Sequence, residues 1–293
     1  MRSSERVWML AAVLTAGACS DAAVRASGEA RVLGGDNDDA AGPVVPSSAT
    51  GFVDETPRKQ AETGDWDAEV AAYGRDLFAR GRQIFRDDTF GSEVFWSGEL
   101  RLHEAILGAE RGGVGPGLAP RDALKLGLRV DSERLPNQVV QAIASETIDL
   151  DSVDTTLALL RRDAIVGVRG FFTGGTLTAV GITCALCHST VDDALTEGVG
   201  RRLDGWPNRD LDVGAVVALA PRLTPLTDVL GADDATVREV LRSWGPGRYD
   251  PQLLLDGKAF RPDGKPAATL LPAAYGLAGQ NLHTYNGWGS VPY

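Results

Sequence analysis

The segment TCALCH, residues 183–188, constrains this chain more than any other. C-x-x-C-H is the attachment signature of c-type haem, because each thiol can add to one vinyl group and the next residue offers an imidazole nitrogen to the iron. The segment therefore predicts one covalently bound haem c per chain. Cys184 and Cys187 are the expected attachment points, and His188 is the expected iron ligand.

Two other chemistries use paired cysteines. A structural zinc site needs four nitrogen or sulfur ligands, whereas the chain has three cysteines and three histidines, and the motif contains two of the former and one of the latter. A thioredoxin-like redox pair belongs to a βαβ context, which the surrounding sequence does not show. Haem attachment is the better interpretation of the motif.

The first residues predict export from the cytoplasm. Residues 1–18 combine the basic Arg2 and Arg6 with an apolar run that ends in Ala16-Gly17-Ala18, an A-x-A cleavage pattern. The run of about a dozen apolar residues is shorter than the roughly 20 needed to cross a bilayer. Residues 1–18 are therefore predicted to be a signal peptide, and the protein is expected in the bacterial periplasm.

Cys19, directly after this signal, raises the question of a lipid anchor. Small residues before a cysteine resemble the lipobox of bacterial lipoproteins, although Ala16 stands where that motif usually has a large apolar residue. Lipidation of Cys19 is the favoured hypothesis and ordinary A-x-A cleavage is the alternative. Residues 19–62 are dominated by Ala, Gly, Ser, Asp and Pro, and this composition predicts a disordered tether. The haem domain is predicted over residues 63–293.

The charge of the chain bears on its partners. The sequence has 40 acidic and 29 basic residues, for a net charge of −11. Nucleic-acid binding is therefore not expected. The expected partner is a redox protein with a basic surface, and contact with a membrane is expected only through the N-terminal lipid anchor.

The pattern of apolar residues predicts a mainly α fold, a cytochrome c-like haem domain with a small β-hairpin before the haem-binding helix. Turn residues at 173–175 separate the two β-favouring segments, and Asp233 or Asp234 is expected to cap the last helix. The predicted hairpin uses residues 164–168 and 177–182 and leads directly to Cys184. Helices are predicted over residues 66–86, 92–109, 153–162, 184–194 and 234–244, another is predicted from Pro136 through Val139, Val140 and Ile143, and a polar loop is predicted over 198–212.

The second axial position of the iron is limited by the methionine count. The two methionines, Met1 and Met9, both lie in the predicted signal peptide, so a His/Met haem is excluded for the mature chain. His103, on the apolar face of a predicted helix, is the favoured second ligand. An open position and His283, in a tail rich in Gly and Asn, are the alternatives.

Haem also carries two propionates, which need hydrogen-bond donors where they are buried. The candidates are Arg201, Arg202 and Arg209, because guanidinium groups match carboxylates. Trp206, in the same segment, is expected to pack on the porphyrin. The alternative for each residue is an ordinary structural role.

Several longer strings carry a resemblance to a known family. The chain resembles a group of bacterial periplasmic c-type cytochromes, the N-terminal part of larger di-haem proteins that are distantly similar to di-haem cytochrome c peroxidases. The resemblance implies a histidine ligand at His103, and it offers no counterpart for His283. This chain has one haem motif, which departs from the two of those proteins. The strings are IFRDDTFG (84–91), FW (95–96), LRLHE (100–104), GITCALCHST (181–190) and LDGWPNRD (203–210).

Three functions are compatible with these features. The favoured one is an electron carrier whose iron is bound by His188 and His103. The second is a haem enzyme, or half of a di-haem peroxidase-like enzyme, in which His103 and Glu104 act as acid and base beside an open iron position. The third is a haem sensor or a structural haem.

Overall fold

The computed structural model describes residues 66–250 and 266–275, and the backbone of residues 282–283 and 289–290. The predicted signal peptide, Cys19 and the predicted tether lie outside the described residues. In the described part helical residues outnumber strand residues, and the strands pair two by two into small ribbons. This mixture of helices and short strands is the observed architecture, and the cytochrome c-like class stays a prediction.

The helices are short apart from the first. Two 3-10 turns, Ala109–Arg111 and Ser132–Arg134, and one π-helix, Val94–Glu99, accompany the α-helices. The α-helices of the described residues are α1 Trp66–Asp87, α2 Leu102–Leu107, α3 Pro120–Lys125, α4 Asn137–Ala144, α5 Val153–Leu160, α6 Ala185–His188, α7 Val213–Val217, α8 Thr224–Leu230 and α9 Asp234–Arg242.

The strands form one hairpin and four shorter pairs. Strands β2 and β3 are antiparallel, β1 and β5 are parallel, and the pairs β4–β6, β7–β8 and β9–β10 are antiparallel. The strands are β1 Val130–Asp131, β2 Val168–Thr173, β3 Thr176–Ile182, β4 Ser189–Val191, β5 Val199–Gly200, β6 Arg202–Asp204, β7 Arg248–Tyr249, β8 Thr269–Leu270, β9 Leu282–His283 and β10 Gly289–Ser290.

Helix α1 confirms the helix predicted over residues 66–86. Its sequence contains strong helix formers, and acidic residues in its first turn and Arg86 in its last turn complement the helix dipole. Its apolar residues Val70, Tyr73 and Leu77 are nevertheless more than half exposed. The helical spacing of these residues therefore marks an apolar stripe that the rest of the described chain leaves uncovered. Every helix in the described part is too short or too polar to cross a lipid bilayer.

The single helix predicted over residues 92–109 is wrong. The structure has the π-helix and α2 instead, separated at Arg101, whose φ of 59° is left-handed. Ser97, in the π-helix, donates from Oγ to Val180 O (3.2 Å) and accepts from Val180 N (2.7 Å). Because these bonds fix the π-helix along strand β3, long-range contacts interrupt the regular helix that the local sequence favours.

The predicted β-hairpin before the motif is present, with a different first strand. Strand β2 begins at Val168, the last residue of the predicted first strand over 164–168. Residues 164–167 are not part of the hairpin, because Ile165 forms a bridge with Val130 and Gly167 turns the chain at φ 77°. Strand β3 agrees with the predicted segment 177–182. Its last residue, Ile182, exchanges two hydrogen bonds with Ser92 Oγ, at 3.0 and 2.9 Å.

The helix that contains the motif is shorter than predicted. It ends at His188 instead of continuing to residue 194, because Ser189 is extended (φ −139°, ψ 142°) and begins strand β4. Strand β4 pairs with β6, so the segment predicted as a loop over 198–212 contains two short strands. The β-branched Thr190 and Val191 favour this extended conformation.

Helices α4, α5 and α9 agree with their predictions, whereas α3, α7 and α8 were not predicted. Pro136 precedes α4, and α5 covers most of the segment predicted over residues 153–162. Asp233 caps α9 by accepting a hydrogen bond from Thr236 N at 2.8 Å. The apolar side of α9 packs in the main core, which is centred on fully buried aliphatic side chains: Leu100, Leu160, Leu177, Leu211, Leu223, Leu226, Leu241, Val180, Val217 and Val237.

Candidate functional site

Helix α6 holds the motif in a single turn. Cys184 takes helical dihedral angles (φ −55°, ψ −30°) immediately before the helix and is buried. Thr183 Oγ1 accepts a hydrogen bond from Ala185 N (3.3 Å), and His188 N donates to Cys184 O (3.2 Å). Because Cys184 and Cys187 are three residues apart on one helical turn, their side chains are neighbours on one face. Attachment to a single porphyrin requires this arrangement.

The ring of His188 is oriented by a hydrogen bond from a distant part of the chain. The residue is 3 % exposed, and its Nδ1 lies 3.0 Å from the carbonyl oxygen of Pro272. A carbonyl oxygen can only accept, so this contact assigns the proton to Nδ1 and makes Nε2 the basic nitrogen. A hydrogen bond of this kind fixes the tautomer and the orientation of metal-binding histidines. The side chain of His188 therefore fits the role of iron ligand.

The other side of the turn is closed by residues that follow the motif. Asn208 N donates to Cys187 O at 2.9 Å, and Asn208 Nδ2 donates to Gly127 O at 2.9 Å. Burial raises the pKa of the Cys187 thiol to about 12. A free thiol in this environment stays protonated at neutral pH, which distinguishes it from the low-pKa thiolates of redox-active pairs.

The C-terminal end of α1 also packs against the motif. Phe85 packs against a small buried cluster formed by Val166, Ala185 and Val191. The next residue, Arg86, donates from Nε to Asp204 Oδ2 at 2.7 Å. Asp204 Oδ1 in turn accepts from the hydroxyl of Ser189, at 3.1 Å. These hydrogen bonds join this end of α1 to the residues directly after α6.

Two of the arginines predicted to bind the haem propionates form ion pairs with carboxylates of the chain itself. Arg201 is exposed, and its Nε lies 3.2 Å from Asp192 Oδ2. Arg202 is buried, and its Nε lies 3.3 Å from Asp131 Oδ2. Burial lowers the pKa of Arg202, and the charge of Asp131 opposes that effect. The assignment of Arg201 and Arg202 to haem propionates stays a prediction, and their ion pairs give both a structural role.

Trp206 and Arg209 are both exposed. The Trp206 ring packs against Tyr275, with ring centroids 5.6 Å apart. The main chain of Arg209 touches Gly247, directly before strand β7. The packing of Trp206 on the porphyrin and the binding of a propionate by Arg209 stay predictions.

The two histidines predicted as candidates for the second iron ligand, His103 and His283, lie in different elements. His103 lies in α2, which packs against strand β3, the π-helix and α5. Its Nδ1 is shielded from solvent and has no hydrogen-bond partner among the described residues. Burial lowers the pKa of His103, so its imidazole is neutral at pH 7 and able to bind a metal. For His283 only the backbone is described, in strand β9. Both remain predictions as ligands.

Sequence reasoning missed Pro272, Asn208, Trp244 and Tyr249 as residues of this region. Pro272 lies 84 residues from His188. Asn208 contacts the motif through its main-chain N–H, and its side-chain amide donates to Gly127. No local pattern signals such contacts. Trp244 is the last residue of the helix predicted over residues 234–244 and lies two residues beyond the end of α9. Tyr249 lies in a segment rich in Gly and Pro.

Comparison with known proteins adds no relative to this picture. No protein-family model, no curated protein and no solved structure matches the chain.

Proposed function

We propose that this chain is an exported electron-transfer protein that carries one covalent haem c at Cys184, Cys187 and His188. The observation that carries the proposal is the buried His188 ring, whose Nδ1 donates to Pro272 O across 3.0 Å on the same helical turn that presents both thiols. A single turn with this spacing and this oriented imidazole matches the donor set of c-type haem.

Each of these residues has a separate part in holding the cofactor. Each thiol adds across one vinyl double bond, so that its sulfur and its hydrogen join neighbouring carbon atoms and no oxidant is consumed. Pro272 holds the His188 ring so that Nε2 is the basic atom. When bound, haem supplies an iron that cycles between the ferrous and ferric states.

The location and partner form part of the proposal and are supported by the sequence. The predicted signal peptide over residues 1–18 directs the chain to the periplasm, where covalent haem is attached, and Cys19 is the proposed lipid anchor. The net charge of −11 favours a redox partner with a basic docking surface. His103, with its neutral, half-buried imidazole, is the proposed second ligand.

A haem enzyme is the second candidate, and one observation on α2 bears on it. The carboxylate of Glu104 is held by Arg101, whose Nε donates to Glu104 Oε1 at 2.8 Å. His103 is neutral beside it, because burial lowers its pKa. A neutral imidazole next to a fixed carboxylate fits general-base chemistry as well as iron ligation, so the two candidates differ in whether His103 occupies the iron.

Covalent attachment is tested by expressing the exported chain together with a cytochrome c maturation system. The wild type is expected to give a pyridine haemochrome spectrum and to retain haem on a denaturing gel. The double variant C184A/C187A is expected to lose covalent haem. The matched control is C19S, which removes the third cysteine of the chain and is expected to keep the haem. A colourless wild type with both motif thiols titratable contradicts the proposal.

Carbon monoxide then separates the carrier from the enzyme. The carrier with His188 and His103 on the iron is expected to be low-spin and unresponsive to carbon monoxide, and H103A is expected to become high-spin. Rapid binding of carbon monoxide by the reduced wild type, with an unchanged spectrum in H103A, supports the enzyme instead.

A further inference from the structure

Two hydrogen-bond donors near the motif are buried and unused. The indole Nε1 of Trp244 and the hydroxyl of Tyr249 are both shielded from solvent, and neither has a hydrogen-bond partner among the described residues. Their rings meet edge to face, with centroids 5.6 Å apart and an interplanar angle of 86°. Buried donors of this type are normally paired, because an unpaired one loses its water without replacement. Two adjacent unpaired donors therefore point to a missing acceptor.

The main chain around Tyr249 is connected to both ends of the haem-binding turn. Toward His188, Leu271 N donates to Gly247 O at 2.9 Å, and the next residue, Pro272, accepts from the His188 ring. Strand β7, which contains Tyr249, pairs with β8, and Pro272 follows β8 by two residues.

A second connection runs toward Cys187. Asn208 N donates to Cys187 O, and the main chain of the next residue, Arg209, touches Gly247. Burial is the main cause that raises the pKa of Tyr249, and the Cys187 side chain is close enough to the phenol to be a further one. The phenol and the motif therefore share one corner of the molecule.

We propose that Tyr249 and Trp244 are the hydrogen-bond donors for a carboxylate side chain of the covalent haem. This inference rests on the proposed function, since it assigns residues to the haem of that same site. A haem propionate is an acceptor that requires donors when it leaves water, and a phenol and an indole each supply one. Of the predicted donors, Arg201 is hydrogen-bonded to Asp192, and Arg202 forms an ion pair with Asp131, while its Nε and Nη1 make no hydrogen bond among the described residues.

The assignment has a consequence for the reduction potential. Hydrogen bonds from a phenol and an indole withdraw part of the negative charge of a carboxylate. Without them more of that charge acts on the iron and favours the ferric state, which carries the additional positive charge. Loss of either donor is therefore expected to lower the midpoint potential of the haem. A tyrosine that only packs in the core has no such effect when its hydroxyl is removed.

The test measures midpoint potentials of the haem-loaded full chain by spectroelectrochemistry. Y249F and W244F are each expected to shift the reduction equilibrium at least threefold toward the ferric form, about 28 mV on the scale of 59 mV per tenfold change for one electron. Y73F is the matched control, because it removes a hydroxyl from the exposed face of α1. It is expected to leave the potential unchanged.

Failure of this inference is distinguishable from failure of the proposed function. Haem content of the wild type is measured first by pyridine haemochrome, and a wild type without covalent haem overturns both. If the wild type carries covalent haem, the inference is overturned when the midpoint potentials of both variants stay within about 28 mV of the wild-type value. It is also overturned when Y73F shifts the potential as much as they do. The electron-carrier proposal then stands without it.

Discussion

Gly167 is the residue on which the position of α6, the turn with the proposed haem attachment residues, depends most directly. Its φ of 77° is left-handed, and its carbonyl oxygen accepts from Thr183 N at 3.0 Å. A Cβ at this position would overlap the backbone nitrogen and Cα of Leu186, inside α6. Only a residue without a side chain permits this approach of the two main chains.

The variant G167A is therefore expected to destabilise the fold and to reduce covalent haem attachment. G175A is the matched control, because Gly175 has a similar φ of 84° but no atom within 4 Å of its added Cβ. The left-handed conformation costs each alanine about 1–2 kcal/mol, and the overlap is expected to bring the total for G167A above about 3 kcal/mol. Denaturant unfolding and haem content check this, and equal losses in the two variants contradict it.

Some residues of the candidate site can be recognised from the sequence, and others only from the structure. Cys184, Cys187 and His188 follow from their spacing in the sequence, because covalent attachment and ligation use neighbouring residues of one turn. Pro272 and Tyr249 do not, because their contribution is a carbonyl oxygen and a buried hydroxyl that only packing brings near the motif.

Among the elements, α9 connects the core to Trp244 and was predicted correctly, including its cap. Asp233 accepts from Thr236 N at 2.8 Å, and this hydrogen bond is the main cause that lowers the pKa of the Asp233 carboxyl. A lowered carboxyl pKa stabilises the fold above the pKa of the unfolded chain, about 3.9. That contribution is lost as the pH falls through the lower folded value.

The variant D233A is thus expected to melt at a lower temperature than wild type at pH 7. The difference between the two is expected to shrink as the pH falls below about 4, since protonation then removes the same contribution from wild type. D228A, which removes an exposed carboxylate from α8, serves as the control and is expected to show no comparable loss. Melting curves between pH 7 and pH 2.5 check the prediction, which a pH-independent difference contradicts.

The elements that were predicted wrongly share a physical cause. The interruption of the predicted helix over residues 92–109 coincides with Ser97 and Ser92, whose hydroxyl groups bind the main chain of strand β3. The early end of α6 at His188 coincides with the pairing of β4 and β6. In both places a distant strand supplies hydrogen bonds that compete with the local helix, and periodicity in the sequence does not report them.

For the whole molecule, the net charge of −11 is expected to govern the proposed association with a redox partner. The rate constant for electron transfer to a basic soluble cytochrome is expected to fall with rising salt, because exposed charges are screened within about 10 Å at 0.1 M ionic strength. With an acidic acceptor protein, the rate constant is expected to rise with rising salt, because screening then weakens the repulsion between like charges. Stopped-flow kinetics with both acceptors check this, and a rate independent of salt for both contradicts it.

The order of residues along the chain is enough to predict the proposed attachment residues, the exclusion of a methionine ligand and the helices whose caps and periodicity are local, such as α5 and α9. Packing between distant parts of the chain instead sets how the His188 ring is oriented, which buried donors lack a partner and where α6 ends. The physical reason is the range of the interactions. Attachment chemistry and helix capping act between residues a few positions apart, whereas the hydrogen bonds that complete the site join segments tens of residues apart and exist only in the packed molecule.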